Sequence, residues 1–131
     1  MIVLDTHAWI WWVASPDQLS EPALEAIEPA RERKAIYISS ISAWEVALLV
    51  RKGRLALTIP VEEWIARSEA LPWVQFVPLD NQIALRSNHL PGELHEDPAD
   101  RIIIATALTL GHPLISRDTK IRDYPHVESV W

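Results

Sequence analysis

Apolar and polar positions along the chain switch between a period of two and a period near 3.6, and these switches mark out the elements. Ile2-Val3-Leu4 is a short apolar run closed by Asp5, the pattern of a buried central strand. Thr6 to Ala14 reads as a helix ended by Ser15-Pro16, and Ser20 with Pro22 behind it opens a second helix running to about Lys34. Alternation returns from Ala35 to Ser39, predicting the next strand. Ser42-Ala43-Trp44-Glu45 has the form of a capping box, so a third helix is expected through Arg51 with Gly53 as its stop.

Further on, Pro60 to Leu71 predicts a helix, Val74 to Pro78 a strand, and Asp80 to Asn88 a helix capped by Asp80. His89 to Asp97 has no periodicity and is expected to be an irregular connector. Asp97-Pro98-Ala99-Asp100 opens a long helix, with Asp97 as cap, Pro98 in the first turn and Ile102, Ile103, Ile104 and Leu108 as buried surface up to Gly111. Pro113 to Ser116 and Val127 to Trp131 read as two more strands. Strands alternating with helices predict an α/β fold, a parallel sheet covered on both faces, in one domain spanning residues 1–131.

Composition narrows the chemistry. The 131 residues are 49% hydrophobic and 23% charged, which fits an ordinary globular chain rather than a disordered one. Cysteine is absent, excluding disulfides, thiolate zinc sites and a cysteine nucleophile, and a reducing cytosol suits such a chain. The apolar run from Ala8 to Ala14 is too short to span a bilayer and lacks a basic leading region, so neither a membrane span nor a signal peptide is expected. A cytoplasmic location follows as the expectation.

Twelve Lys and Arg against 18 Asp and Glu give a net charge of −6, the wrong sign for gripping nucleic acid by bulk electrostatics. Four acids fall at equivalent places in the predicted layout. Asp5 ends the first strand, Glu45 follows the second, Asp100 opens the long helix and Asp118 follows the strand ending near Ser116. The carboxyl ends of strands in an open α/β sheet share one edge, where ligands bind. Each acid alone is explained as a cap or first-turn acid, worth about 0.3–1 kcal/mol. Jointly they repel one another unless a cation intervenes, and a hard divalent ion such as Mg²⁺ or Mn²⁺ suits oxygen ligands. Setting the four acids aside takes −6 to −2.

The order of Leu4-Asp5-Thr6-His7, Ser42-Ala43-Trp44-Glu45, Asp97-Pro98-Ala99-Asp100-Arg101 and Ser116-Arg117-Asp118 resembles the PIN-domain ribonucleases, specifically VapC-type toxins of bacterial type II toxin–antitoxin pairs. The likeness spans nearly the whole chain, including His95 and the closing Asp123-Tyr124 and Trp131. It implies a Mg²⁺- or Mn²⁺-dependent endoribonuclease on a five-stranded parallel sheet, silenced by a VapB-type antitoxin whose tail occupies the active groove. It further implies a homodimer and a toxin–antitoxin hetero-oligomer. The family's acidic quartet maps onto Asp5, Glu45, Asp100 and Asp118, with Asp97 as a fifth acid nearby, and its small hydroxyl residues onto Thr6 and Ser116. Ala99, Thr106 and Leu49 depart from the family's usual aromatic, glutamine and lysine; none is an acidic ligand.

On this reading Asp5, Asp100 and Asp118 hold the cation, directly or through its waters, and Glu45 orients or deprotonates the attacking water. Asp97 is either a ligand or a helix cap. Thr6 and Ser116 either hydrogen-bond the ligand carboxylates or are turn residues. Arg51 and Lys52, with Arg86 and Arg117, are the candidates for RNA phosphates, although cations at a helix end also suit the dipole. Of seven tryptophans, Trp9 and Trp12 share a helix face and are expected in the core, whereas Trp11 points elsewhere, toward a partner. Packing is preferred to base stacking for Trp11 and Trp44. The five histidines lack ligand spacing and read as structural or surface groups, with only His7 and His95 near the site.

Two other classes compete. A phosphotransferase or phosphatase of haloacid-dehalogenase type also has an Asp after its first strand, but needs a second Asp where this chain has His7. A catalytically inactive PIN-fold interaction module would not need all four acids. A flap nuclease shares the acids but needs a larger chain with DNA-gripping insertions, leaving RNA, single-stranded or structured, as the expected substrate.

Overall fold

The computed structural model describes residues 1–131. Five parallel strands form the sheet: β1 (Ile2–Leu4), β2 (Ile36–Ser39), β3 (Val74–Val77), β4 (Leu114–Ile115) and β5 (Ser129–Val130), in the order β3-β2-β1-β4-β5. Ile2, Val3 and Leu4 sit opposite Ile36, Tyr37 and Ile38 on one side, and Val3 and Leu4 opposite Leu114 and Ile115 on the other. This places the first residues of the chain in the central strand, where both faces are covered. Hence the unbroken apolar run.

Period-two alternation divides those side chains between two cores. Leu4, Ile36, Ile38 and Ile115 pack with Trp9, Ile27 and Val46, supplied by α1 (Thr6–Ala14), α2 (Glu21–Glu32) and α3 (Ser40–Arg51). Trp64 of α4 (Val61–Glu69) joins them, its ring centroid 4.8 Å from that of Trp9. On the opposite face Val3 and Leu114 pack with Ile83 of α5 (Asn81–Ser87), Ile103 and Ile104 of α6 (Pro98–Leu110), and Ile121 of α7 (Thr119–Arg122). Trp9 is fully buried and Trp12 packs half-buried against the same core, as their shared helix face requires.

Three local differences from the sequence reading have physical causes. The third helix starts earlier than Ser42, because Ser39 ends β2 and is itself the N-cap, its hydroxyl accepting the Ile41 N–H at 3.2 Å. The capping box at Ser42 and Glu45 therefore does not form; both lie inside α3. The second helix stops at Glu32, and Lys34 takes a left-handed backbone angle of φ 57° that turns the chain into β2. Beyond β4, Asp118 caps the short helix α7, which has too few residues for its period to register in the sequence.

Residues 89–97 carry no regular structure, as the pattern predicts. Side chains pin this connector instead. Tyr124 is buried and donates its hydroxyl to the Pro91 carbonyl, and Arg101 reaches back to carbonyls on the connector.

Ile104 is fully buried between α6 and the sheet. Ile104→Ala is expected to lower stability by about 2–5 kcal/mol, read as a lower denaturant midpoint.

Candidate active site

β1 lies next to both β2 and β4, and the chain leaves it toward β2 and β3 but returns across the sheet through α5 and α6 to β4. This is a topological switch point, where the connections diverge and leave a crevice at the carboxyl ends of the strands. A cavity of about 580 Å³ occupies it, and Asp5, Glu45, Asp97, Asp100 and Asp118 all line it, with Thr6, His7, Trp11, Arg117 and Thr119. The four acids read from the sequence thus meet in one place.

Three aspartates reach the cavity because they end a strand or loop and start a helix. Asp5 caps α1, accepting the Ala8 N–H at 2.8 Å, and is only 7% exposed. Asp97 caps α6 by accepting the Asp100 N–H at 3.0 Å, and Asp118 caps α7 by accepting the Lys120 N–H at 2.9 Å. The helix N-termini turn partial positive charge toward the pocket and favour the ionised carboxylates. Asp97 is therefore both a cap and a pocket-lining acid.

Glu45 has no capping task. About a turn and a half into α3, it is half-buried and hydrogen-bonded to the Thr6 hydroxyl. Thr6 Oγ1 also lies 2.9 Å from Ser42 Oγ, which is wholly buried. A hydroxyl has one proton to give, so the proton on Thr6 serves either Glu45 or Ser42. Ser116 is buried and accepts the Asp118 N–H at 3.1 Å, and its hydroxyl favours the charged form of Asp5. Thr6 and Ser116 are thus bonded to the acids and their backbone rather than acting only as turn residues.

Burial pushes Asp5 up to about 6, against the opposing pull of the Ser116 hydroxyl and the Ala8 N–H. Glu45 rises to about 7, chiefly through burial, with Asp100, Asp97 and Asp5 adding repulsion. Asp100 is raised by burial too, opposed by its bond to His95. Enclosed carboxyl groups this reluctant to ionise, gathered in one cavity, mark a candidate functional site.

The donors fit a hard divalent cation. They are carboxylate oxygens with one imidazole and no thiolate, and ligand atoms of His95, Asp100 and Asp118 lie within 4.8 Å of one another. Asp5 lines the same cavity but stands outside that trio.

The basic candidates separate. Arg117 lines the cavity, its guanidinium 5.8 Å from the Trp11 ring centroid. Arg51 and Lys52 close the far end of α3, and Arg86 donates to Thr109 Oγ1 at 3.3 Å near the far end of α6. Both helices begin at the pocket and run away from it at about 1.5 Å per residue, so these three cations are not brought to it. Trp11, half-buried, forms a wall of the cavity with His7 at 5.6 Å and Trp131 at 5.7 Å between ring centroids. Trp44 is 58% exposed rather than packed.

Two neighbours of the acids have no clear signal in the sequence. Ser42 matches a capping box by type and spacing, and only the start of α3 at Ser40 frees it to face Thr6. The approach of His95 to Asp100 at 2.7 Å depends on the path of an irregular connector.

A strand order of this kind with acids gathered at the switch point defines a class of α/β domains with an acidic pocket at the sheet's edge. The chain matches the PIN domain model over residues 2–127 and belongs to the PIN-domain family. It is 36% identical to Ribonuclease VapC22 of Mycobacterium tuberculosis over 129 residues, 98% of this chain and 95% of that protein. Among solved structures, a toxin-antitoxin complex from Klebsiella pneumoniae matches at 26% identity and a TM-score of 0.64, covering 97% of this chain and 95% of that one. VapBC2 from Rickettsia felis, bound to a DNA fragment from their promoter, shares the fold at 16% identity and a TM-score of 0.72, covering 98% and 97%. No helix is long and apolar enough to cross a membrane.

Raised carboxyl pKa values give stability a definite sign. The folded protein keeps protons on Asp5 and Glu45 that the unfolded chain has released, so stability is highest below about pH 4 to 5 in this respect and falls as pH rises toward about 7. Thermal melts of metal-free protein are expected to show this decline, with Asp5→Asn flattening it. Added Mn²⁺ is expected to restore the melting temperature at neutral pH by binding only the folded state.

Proposed function

We propose that this protein is a divalent-cation-dependent endoribonuclease and the toxin of a type II toxin–antitoxin pair, acting on cellular RNA in the cytoplasm. The observation that carries the reading is the convergence of Asp5, Glu45, Asp100 and Asp118 on one cavity, where burial makes Asp5, Glu45 and Asp100 reluctant to ionise. Identity to a VapC ribonuclease across almost the whole chain supports the activity.

Asp5, Asp100 and Asp118 would hold Mg²⁺ or Mn²⁺, with Asp97 at the rim. Such an ion supplies positive charge that neutralises the carboxylates and draws electron density from the scissile phosphoryl group. Glu45 stands apart from the capping acids and, near neutrality, is suited to accept a proton from the attacking water, with Thr6 and Ser42 fixing its carboxyl group. Water, giving one proton to Glu45, adds at phosphorus and the bond to the 3′-oxygen breaks, that oxygen taking a proton from solvent, so that a 5′-phosphate and a 3′-hydroxyl result. Arg117 is the cation placed to meet a substrate phosphate; Arg51, Lys52 and Arg86 would serve only RNA extending well beyond the pocket.

The matching Klebsiella pneumoniae structure is a toxin–antitoxin complex. It supports a VapB-type antitoxin as partner, with a homodimer and a toxin–antitoxin hetero-oligomer as the assemblies.

Asp5→Asn and Asp100→Asn, with their folds verified by circular dichroism, are expected to lower RNA cleavage in Mn²⁺ by at least about 100-fold. Cleavage by Asp5→Asn at the wild-type rate overturns the assignment. Mapping RNA ends after induction in cells, with Asp100→Asn as control, reports the reaction and its target together.

A further inference from the structure

The acidic quartet leaves His95 without a task, yet its ring is built into the site. It lies in the connector between α5 and α6, with a side chain 19% exposed and Nε2 2.7 Å from Asp100 Oδ2. The connector has no secondary structure to fix it. Arg101 does so instead: its Nε donates to the Ser87 carbonyl at 2.9 Å, and one terminal nitrogen points at the Leu94 and His95 carbonyls at 3.2 and 3.4 Å. One planar guanidinium thereby ties the end of α5 to the backbone that carries His95.

We propose that His95 is a positioning residue, donating its Nε2–H to Asp100 Oδ2 and so presenting the other carboxylate oxygen to the cation, while Arg101 locks the connector that delivers the ring. The proposal rests on the reading of the pocket as a cation-dependent nuclease site. A hydrogen bond to an ionised carboxylate is short and strong, and 2.7 Å falls in that range. An aspartate held in one rotamer before the cation arrives loses less conformational freedom on binding it. The ring as a direct ligand is the competing arrangement, since ligand atoms of His95, Asp100 and Asp118 lie within 4.8 Å of one another. A nitrogen that donates its proton to a carboxylate has no lone pair to offer a cation, and an ionised Asp100 can only accept, so its 2.7 Å contact with Nε2 needs the proton on the ring.

Two measurements test this. Mn²⁺ affinity, from the electron paramagnetic resonance of free Mn²⁺, is compared for the wild type, His95→Ala, His95→Gln and Arg101→Lys. Ring ¹⁵N spectra of His95 in wild-type protein are recorded with and without Mg²⁺. His95→Ala is expected to weaken Mn²⁺ binding by about 10-fold or more. His95→Gln is expected to recover most of that loss, because its amide N–H reaches the same oxygen, and Arg101→Lys to fall between. The ¹⁵N spectra are expected to show a proton on Nε2 in both states. Wild-type affinity in His95→Ala overturns the proposal, as does a Nε2 that gives up its proton when Mg²⁺ binds. Should wild-type protein fail to bind Mn²⁺ at all, the nuclease reading falls, while the Nε2 proton still decides whether the ring holds Asp100.

Discussion

Burial of carboxylates at the end of a parallel sheet, with their mutual repulsion added to it, governs the design of this site. Asp5 is almost wholly enclosed at the end of the central strand, and Glu45 and Asp100 are half-buried beside it, so each resists ionisation. Left uncompensated, such a cluster destabilises the folded chain. Its persistence depends on local devices that favour charge: the N-termini of α1, α6 and α7, the hydroxyls of Thr6 and Ser116, and the ring of His95. On the proposed reading, a divalent cation would complete the compensation.

The fold makes this concentration of charge possible because the packed cores lie elsewhere. Ile38, Leu4 and Ile115 bury one face of the sheet and Val3 and Leu114 the other. The strand ends are then free to carry polar groups, and the short strands β1 and β4 bring Asp5 and Asp118 close together at one edge. Acidic side chains therefore gather where hydrophobic burial has finished.

The periodicity was legible wherever an element had a continuous core to bury. The central strand, the long helix capped by Asp97 and the alternation of Ala35 to Ser39 could all be read from the chain, and so could the destination of Asp5, Glu45, Asp100 and Asp118. Reading failed where the controlling interaction was tertiary. Ser42 and Glu45 match a capping box by type and spacing, but β2 runs directly into α3 and Ser39 takes the cap. The separation of Arg51, Lys52 and Arg86 from the pocket is likewise a tertiary matter, set by where α3 and α6 run.

By itself the sequence determined which residue types stand at strand ends, because apolar runs and helix caps are local properties with local signals. It also determined that oxygen is the main donor at the site, since the chain has no cysteine and places acids at the strand ends. Only the tertiary structure decided which side chains touch. The Thr6 hydroxyl beside Glu45 and Ser42, and the ring of His95 against Asp100, join elements whose relative placement depends on how helices pack on the sheet. Such contacts leave no period in the chain, because packing distance and sequence distance are independent.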